Sequence, residues 1–254
     1  MALFADGPAP TIDNLINEDS GLLDVAETTG INVTAKLRLA HEEMESELRL
    51  WLNRPRAAAE LLWTAAPRIE QIVTTPPLKR WETMLSLAMV YRDAYFSAQV
   101  DRYQAKWQEF LQLARDARER LIASGLAMVS DPVPQPVPPV LGTTPAPYPG
   151  GTYYVSVAGV NAKGQEGAAS WASSITTTTG NAILVAPAAW NRDVATYRVY
   201  AGPSLDAMVR QNTVDLRAGL TYTYLPGQIT TGTPAGNGQA PEFVRPLTRT
   251  ILRG

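Results

Sequence analysis

Cysteine is absent from the chain, and histidine occurs once, at position 41. The first absence excludes disulfides, thiol nucleophiles and cysteine-ligated zinc, and it is compatible with folding inside a cell. A single histidine leaves no second imidazole for a histidine-based zinc site. We expect His41, which lies beside Glu42 in a helical pattern, to be a surface residue rather than a catalyst.

Long apolar runs and phosphate-binding signatures are also missing. No run approaches the ~20 residues that span a bilayer, and no basic stretch followed by an apolar block opens the sequence. We therefore expect no membrane segment and no signal peptide. A Gly-x-Gly-x-x-Gly loop, a P-loop and a Gly-x-Ser-x-Gly elbow are all absent, and adjacent carboxylates on a helix diverge by ~100°. We expect neither enzymatic activity nor a cofactor or metal.

The small net charge of −2 is unevenly divided. Residues 1–130 hold 14 Lys and Arg against 18 Asp and Glu, a net charge of −4, whereas residues 131–254 hold 8 against 6, a net charge of +2. The excess of positive charge can be assigned to the last 13 residues. The sequence has no strong row of basic residues of the kind found in nucleic-acid-binding proteins.

A proline-rich stretch over 132–149 separates two halves with different periodicities. It holds eight prolines, which lack the backbone donor of a helix or sheet interior, so we expect it to act as a semi-rigid linker outside both. Apolar residues recur every three or four positions before it and mostly every two after it. The sequence predicts an α+β protein with an extended arm (1–20), a helical domain (21–130), this linker (131–150), an antiparallel β-sandwich (151–226) and an extended tail (227–254).

The helical half carries clear start and stop signals. We predict helices over about 21–28, 33–53 and 101–124, with Gly30 and Gly125 as terminators and Asn32 as an N-cap. A pattern over 56–73 is broken near Pro67, and Thr75 followed by two prolines opens a further helix. Nothing over 99–101 decides whether 76–124 is one helix or two, and we favour two. The tryptophans of this half, at 51, 63, 81 and 107, are predicted core residues.

One predicted helix has an acidic side. The apolar residues at 33, 37, 40, 44, 48 and 52 form one stripe, and four glutamates lie mostly outside it: Glu42, Glu43, Glu45 and Glu47. The simplest interpretation is a solvated face. The alternative is a surface lining a channel, where negative charge would keep DNA phosphates from binding.

Six stretches of the second half alternate with period two between turn signals, and they predict short strands. They are 151–160, 174–178, 182–186, 196–201, 207–212 and 220–225. Residues 152–170 (TYYVSVAGVNAKGQEGAAS) resemble the penultimate strand, hairpin and last-strand entry of fibronectin-type-III and immunoglobulin-like modules. Residues 196–204 (TYRVYAGPS) resemble a central strand of that fold. The late-strand pattern precedes the central one, which implies a permuted or incomplete sandwich.

The end of the chain alternates again after a stretch rich in glycine and proline. This alternation favours strand addition to the edge of a partner's sheet, and the alternative is a disordered terminus. The predicted interface residues are Phe243, Arg245, Leu247, Arg249, Ile251 and Arg253.

The helical half resembles the head-to-tail connector (adaptor) proteins of tailed phages. The resemblance covers about 20–135 and rests on residues 23–44 (LDVAETTGINVTAKLRLAHEEM), 101–107 (DRYQAKW) and 129–134 (VSDPVP). It implies a virion neck protein, made in the host cytoplasm, whose copies close into a ring of about twelve. Its partners would be sister copies, the portal protein and tail or tail-completion proteins. DNA would pass through the ring without sequence-specific binding.

Two other classes of function remain open. A virion accessory protein could bind a host-surface glycan or receptor through the β module, with Trp171 or Trp190 exposed. An enzyme of another type would need a convergent polar cluster that the sequence does not reveal.

Overall fold

The computed structural model describes residues 2–53, 66–98, 100–187, 189–190 and 194–247. A helical part precedes antiparallel β-sheets, which confirms the predicted α+β class with two regions. The chain divides into two compact units, each built from two stretches of sequence. The helical unit comprises Gly7–Met128 and the residues from Pro241, and the β unit comprises the residues before Gly7 and Val129–Ala240.

Five α-helices lie in the described part of the helical unit. They are α1 (Ile12–Glu18), α2 (Leu22–Thr29), α3 (Val33–Leu52), α4 (Pro76–Ala98) and α5 (Asp101–Ser124). The stretch over 76–124 is therefore two helices, as we favoured. They pack antiparallel, since Tyr91 stacks on Phe110 with ring centroids 5.5 Å apart and Tyr95 stacks on Trp107 at 6.3 Å.

The helix boundaries follow from local chemistry. Asn32 caps α3, where its side-chain oxygen accepts a hydrogen bond of 3.0 Å from the Ala35 amide. Gly30 ends α2 with φ of +70°, a left-handed conformation that costs glycine little. Gly125 ends α5 with φ of +81°. The start and stop signals that we identified in the sequence act as predicted.

The helical core is formed by the predicted stripes. All six apolar stripe residues of α3 are buried, and Trp51 at its end stacks on Trp81 of α4 with centroids 5.6 Å apart. Helix α4 is buried around most of its circumference because α1, α2, α3 and α5 all pack against it. Trp107 is only half-buried, and Trp63 lies outside the described residues.

Two predictions for this half need correction or stay open. The extended arm over 1–20 is wrong, because Phe4–Asp6 forms a 3₁₀ turn and α1 follows it. Thr11 accepts a hydrogen bond from the Asn14 amide, and its own amide donates to the Asn14 side chain in return, so a capping box starts a helix that has few apolar residues. Of the pattern over 56–73, only its end is described, where Ile69–Gln71 forms a 3₁₀ turn.

Antiparallel strands make up most of the β unit. They are β2 (Val140–Pro145), β3 (Gly151–Val160), β4 (Ser173–Thr177), β5 (Asn181–Ala186), β6 (Thr196–Gly202), β7 (Val209–Arg210), β8 (Leu216–Arg217) and β9 (Tyr222–Tyr224). One sheet has the order β2-β5-β9 and the other β4-β3-β6-β7, with β8 also paired to β6. Two further strands, β1 (Leu126–Met128) and β10 (Phe243–Arg245), pair in the helical unit.

The two larger sheets share one hydrophobic core, as a β-sandwich requires. Val157 of β3, Val199 of β6 and Val185 of β5 are fully buried in it. Strand β3 lies between β4 and β6 in its sheet.

The proline-rich stretch is not a linker outside the sheets, and that prediction is wrong. Val133 is fully buried, and β2 pairs with β5 from Val140 to Pro145. The prolines are tolerated because β2 is an edge strand, which needs ladder bonds on one side only, and Pro145 is its last residue.

The segment before β10 is fixed to the β unit. The Arg210 amide donates to the Thr233 carbonyl at 2.9 Å, and Asn237 bridges to Ala168. The buried Gln239 side chain accepts from the Val133 amide at 2.6 Å and donates to the Asp131 carbonyl at 2.9 Å. The predicted extended tail therefore lacks regular structure over most of its length but is held by specific hydrogen bonds.

Candidate functional site

Residues 243–245 of the predicted C-terminal interface segment form strand β10. Its three residues pair antiparallel with β1, with Phe243 opposite Met128, Val244 opposite Ala127 and Arg245 opposite Leu126. Within the described residues β10 has this one strand neighbour. Phe243 is 44% exposed and Val244 56% exposed, so β10 presents an apolar strand edge, a feature that other strands can pair with.

Three further contacts hold β10 on the helical unit. The Glu242 amide donates to the Met128 carbonyl at 2.9 Å, and the Arg245 guanidinium lies 3.5 Å from the Leu52 carbonyl at the end of α3. Gly125 lies so close that a Cβ on it would be 2.6 Å from the Arg245 carbonyl oxygen. Leu247 is half-buried, whereas Arg249, Ile251 and Arg253 lie outside the described residues.

Strand β1 is fixed from its other side. Met128 bridges to Ile72, and the Val73 amide donates to the Ala127 carbonyl at 2.9 Å. Leu126, Ala127 and Met128 are all buried. Strand β1 thus lies between the segment before α4 and β10, and β10 is the outer strand.

The four predicted channel-facing glutamates are spread over about 200° of the circumference of α3. Glu42 and Glu43 are exposed, and Glu45 and Glu47 are half-buried. Arginines contact three of them: Arg38 at 3.6 Å from Glu42, Arg49 at 2.5 Å from Glu45 and Arg118 at 2.6 Å from Glu47. The Glu47 carboxylate raises the pKa of Arg118, and this hydrogen bond outweighs the opposing effect of burial. The acidic side of α3 is therefore partly neutralised within the chain.

Sequence reasoning missed a buried polar cluster where α2, α4 and α5 meet. The Asp19 carboxylate is 6% exposed and accepts hydrogen bonds of 2.5 Å from the Tyr91 hydroxyl and from Lys106. Burial and the hydrogen bond to Asp19 raise the pKa of Tyr91 well above its usual range. These residues are 72 and 87 positions apart from Asp19, so no local periodicity could have indicated the cluster.

This cluster forms one wall of an open cleft of about 260 Å³. Its lining residues are Gly21, Asp24, Val25, Thr28, Tyr91, Arg102, Tyr103 and Lys106. Lys106 is held over the Tyr91 ring at 5.2 Å, and Arg102 over the Tyr103 ring at 4.8 Å. Both cations are already engaged by aromatic rings and neighbouring polar groups, which is typical of a structural joint between helices.

The single histidine is mostly buried, and our expectation of a surface residue was wrong. The His41 side chain is 11% exposed, and its Nδ1 lies 2.8 Å from the fully buried Glu82 carboxylate. The other Glu82 oxygen accepts from the Ala9 amide at 3.1 Å. This pair joins α3, α4 and the segment before α1, so its role in the structure is to hold three elements together.

Over the ranges that the structure describes, no group of three or more His, Asp or Glu side chains could hold a metal ion. No helix in those ranges is both long enough and apolar enough to cross a membrane. Comparisons of this chain with family models, curated proteins and solved structures find no match.

Proposed function

We propose that this protein is a structural head-to-tail adaptor of a tailed bacteriophage. In this role about twelve copies form a ring between the portal and the tail or tail-completion proteins, and DNA passes through without sequence-specific contact. The protein would act by binding its neighbours, with no catalytic step and no cofactor. It would be made in the host cytoplasm and end in the neck of the virion.

A second, outward apolar face on α3 is the observation that carries the proposal. Leu39 and Leu50 are 42% and 68% exposed. They are eleven residues apart, about three helical turns, so they share one face with Glu43 and Ser46 between them. The core stripe of α3 faces the other way and is fully covered. A sister copy packed against this outer face would remove both leucines from water.

The acidic side of α3 also suits a ring around DNA. Exposed carboxylates repel phosphates and leave the duplex unbound as it moves. We propose that the exposed edge of β10 offers the contact for portal or tail.

Size-exclusion chromatography with light scattering, alone and with a purified portal ring, tests the adaptor role. We expect a closed oligomer in at least one condition, and its loss when Leu50 is replaced by Glu. Val214→Glu is the matched control, since Val214 is 75% exposed in the β unit. A protein that stays monomeric and does not bind the portal ring would contradict the proposal. Equal effects of Leu50→Glu and Val214→Glu on oligomer formation would also contradict it.

One observation favours the second function. Trp171 is 73% exposed in the loop between β3 and β4, and exposed tryptophan faces are suited to sugar rings and to protein partners. A host-surface glycan or receptor would then be bound by the β unit while the helices hold the protein in the virion.

A further inference from the structure

One asparagine of the chain is followed directly by glycine, and it lies in the segment before β10. The chain holds nine asparagines, and Asn237 alone precedes a glycine, Gly238. Because glycine has no Cβ, its backbone nitrogen can approach the preceding side chain more closely than that of other residues. Gly238 has φ of +98°, a conformation that costs glycine little. The pair therefore has the chemistry needed for ring closure between the Asn237 side chain and the backbone.

The Asn237 side chain is also accessible and unrestrained. Asn237 is exposed, and with the residues that the structure describes its side chain forms no hydrogen bond. By contrast, the side-chain amides of Asn161, Asn181 and Asn212 each donate two hydrogen bonds. A side chain without such bonds can rotate until its amide carbon faces the next backbone nitrogen, and water can reach it.

We propose that Asn237 is a modification site, where spontaneous deamidation produces isoaspartate and loosens the segment around it. The Gly238 nitrogen attacks the Asn237 amide carbon, and the new C–N bond closes a succinimide ring. The side-chain nitrogen leaves as ammonia and takes the proton of the attacking nitrogen with it. Water then opens the ring at one of its two carbonyls. One opening gives aspartate, and the other gives isoaspartate, in which the backbone runs through the former side chain.

The isoaspartate product would lengthen the backbone by one methylene group inside a segment that is held at both ends. Asn237 itself bridges to Ala168. On one side of it the Thr233 carbonyl accepts a hydrogen bond of 2.9 Å, and on the other the buried Gln239 side chain accepts one of 2.6 Å from the Val133 amide. An additional backbone atom between these anchors must displace at least one of them. The aspartate product keeps the native backbone length and has no such effect.

Asp6 provides a comparison within the same chain, because it precedes Gly7 and could close the same ring with loss of water. Its carboxylate accepts hydrogen bonds of 2.8 Å from the Leu3 amide and 2.7 Å from the Gln135 amide. These bonds hold the side chain away from the next backbone nitrogen. We therefore expect isoaspartate at position 237 and none at position 6 in the folded protein.

Incubation of the full-length protein at mildly alkaline pH, folded and in urea, tests the modification. Peptide mass spectrometry with electron-transfer fragmentation distinguishes isoaspartate from aspartate at each position. We expect position 237 to convert in the folded protein at a rate similar to that in urea, while the other described asparagines stay unmodified in the folded protein. Asn237→Gln is the matched control and should not convert, because its longer side chain would have to close a larger ring. Conversion of Asn237 in urea only would overturn the proposal.

Hydrogen exchange of the Val133 amide tests the effect on the segment. The Asn237→Asp variant introduces the new charge without lengthening the backbone, so we expect it to exchange like the wild type. Protein that carries isoaspartate at 237 should exchange this amide about tenfold faster, since a buried hydrogen bond is weakened. Equal exchange in the isoaspartate form and in Asn237→Asp would contradict the proposed loosening of the segment.

Discussion

Gly125 lies directly against the backbone of Arg245, and a Cβ added at Gly125 would be 2.6 Å from the Arg245 carbonyl oxygen and 2.8 Å from a methyl group of Val244. The same glycine ends α5 with φ of +81°. One residue thus serves two purposes, since it stops a helix and leaves room for a strand. The docking of β10 therefore depends on the absence of a side chain at Gly125 as well as on the backbone hydrogen bonds between β1 and β10.

Replacing Gly125 by Ala should therefore destabilise the helical unit and release β10. We expect the free energy of unfolding to fall by about 2–3 kcal/mol, from the strain of positive φ plus the clash. Gly30→Ala is the matched control, because Gly30 has φ of +70° and a Cβ added there would meet nothing within 4 Å, and this variant should cost about 1 kcal/mol. Urea denaturation followed by circular dichroism, with hydrogen exchange at 243–245, would measure both. Equal losses and unchanged exchange would contradict the docking role.

The Tyr91 hydroxyl should contribute measurably to stability through the buried Asp19. Tyr91→Phe removes a hydrogen bond to a charged acceptor, and we expect a loss of about 1.5–3 kcal/mol in the free energy of unfolding. Tyr95→Phe serves as the control, since the Tyr95 ring packs between Phe96 and Trp107 and its hydroxyl makes no hydrogen bond that the structure describes. The control should change stability by less than about 0.5 kcal/mol. Similar losses of unfolding free energy in both variants would show that the hydrogen bond of the Tyr91 hydroxyl does not contribute to stability.

The same carboxylate predicts how the helical unit responds to acid. Burial raises the pKa of Asp19, but hydrogen bonds from Lys106, Tyr91 and the Gly21 amide outweigh it, so the pKa lies below its ordinary value of 3.8. A depressed pKa means that charged Asp19 stabilises the fold above the ordinary value, and this contribution is lost as pH falls through the folded value. The stability difference between wild type and Asp19→Asn should be constant above about pH 5 and shrink below it. Urea denaturation over a pH series would measure the difference, and a difference that does not vary with pH would contradict the assignment.

The helices were largely predictable because their information is local. The stripe of α3 repeats at helical spacing and every member of it is buried, and Asn32 and Gly30 act within one turn of the boundaries they set. The buried position of His41 could not be read in this way, because it depends on Glu82, 41 residues away on another helix. A polar pair between residues that are far apart in the sequence produces no repeating pattern of residue types, so periodicity cannot reveal it.

Six predicted strands correspond in position to β3, β4, β5, β6, β7 and β9, whereas β1, β2 and β8 were not predicted and the strand partners were less predictable. Residues 151–160 alternate and form β3 as expected, whereas β2 was hidden by the prolines around it. An edge strand accepts proline at its end, and composition alone does not distinguish such a strand from a linker. The strand character of β10 was anticipated from alternation, but its pairing with β1 depends on the approach of Gly125, which only the structure reveals.

The two proposed functions predict different effects of replacing Trp171 on host binding. Its side chain is 73% exposed, so Trp171→Ala should change the free energy of unfolding by less than about 0.5 kcal/mol. If the adaptor role is right, ring assembly and portal binding should be unchanged in light scattering. If the β unit binds a glycan or receptor, binding on a glycan array or to host cells should be lost.

Trp190→Ala is the control that separates binding from folding. The Trp190 ring lies 5.3 Å from the buried Tyr197 ring, so this variant should lose about 2–3 kcal/mol of stability through lost packing. A Trp171 variant that folds normally and loses host binding while still assembling would assign the β unit to host recognition. Normal host binding by that variant would remove the main support for the glycan hypothesis, because Trp171 is the exposed aromatic face on which that hypothesis depends.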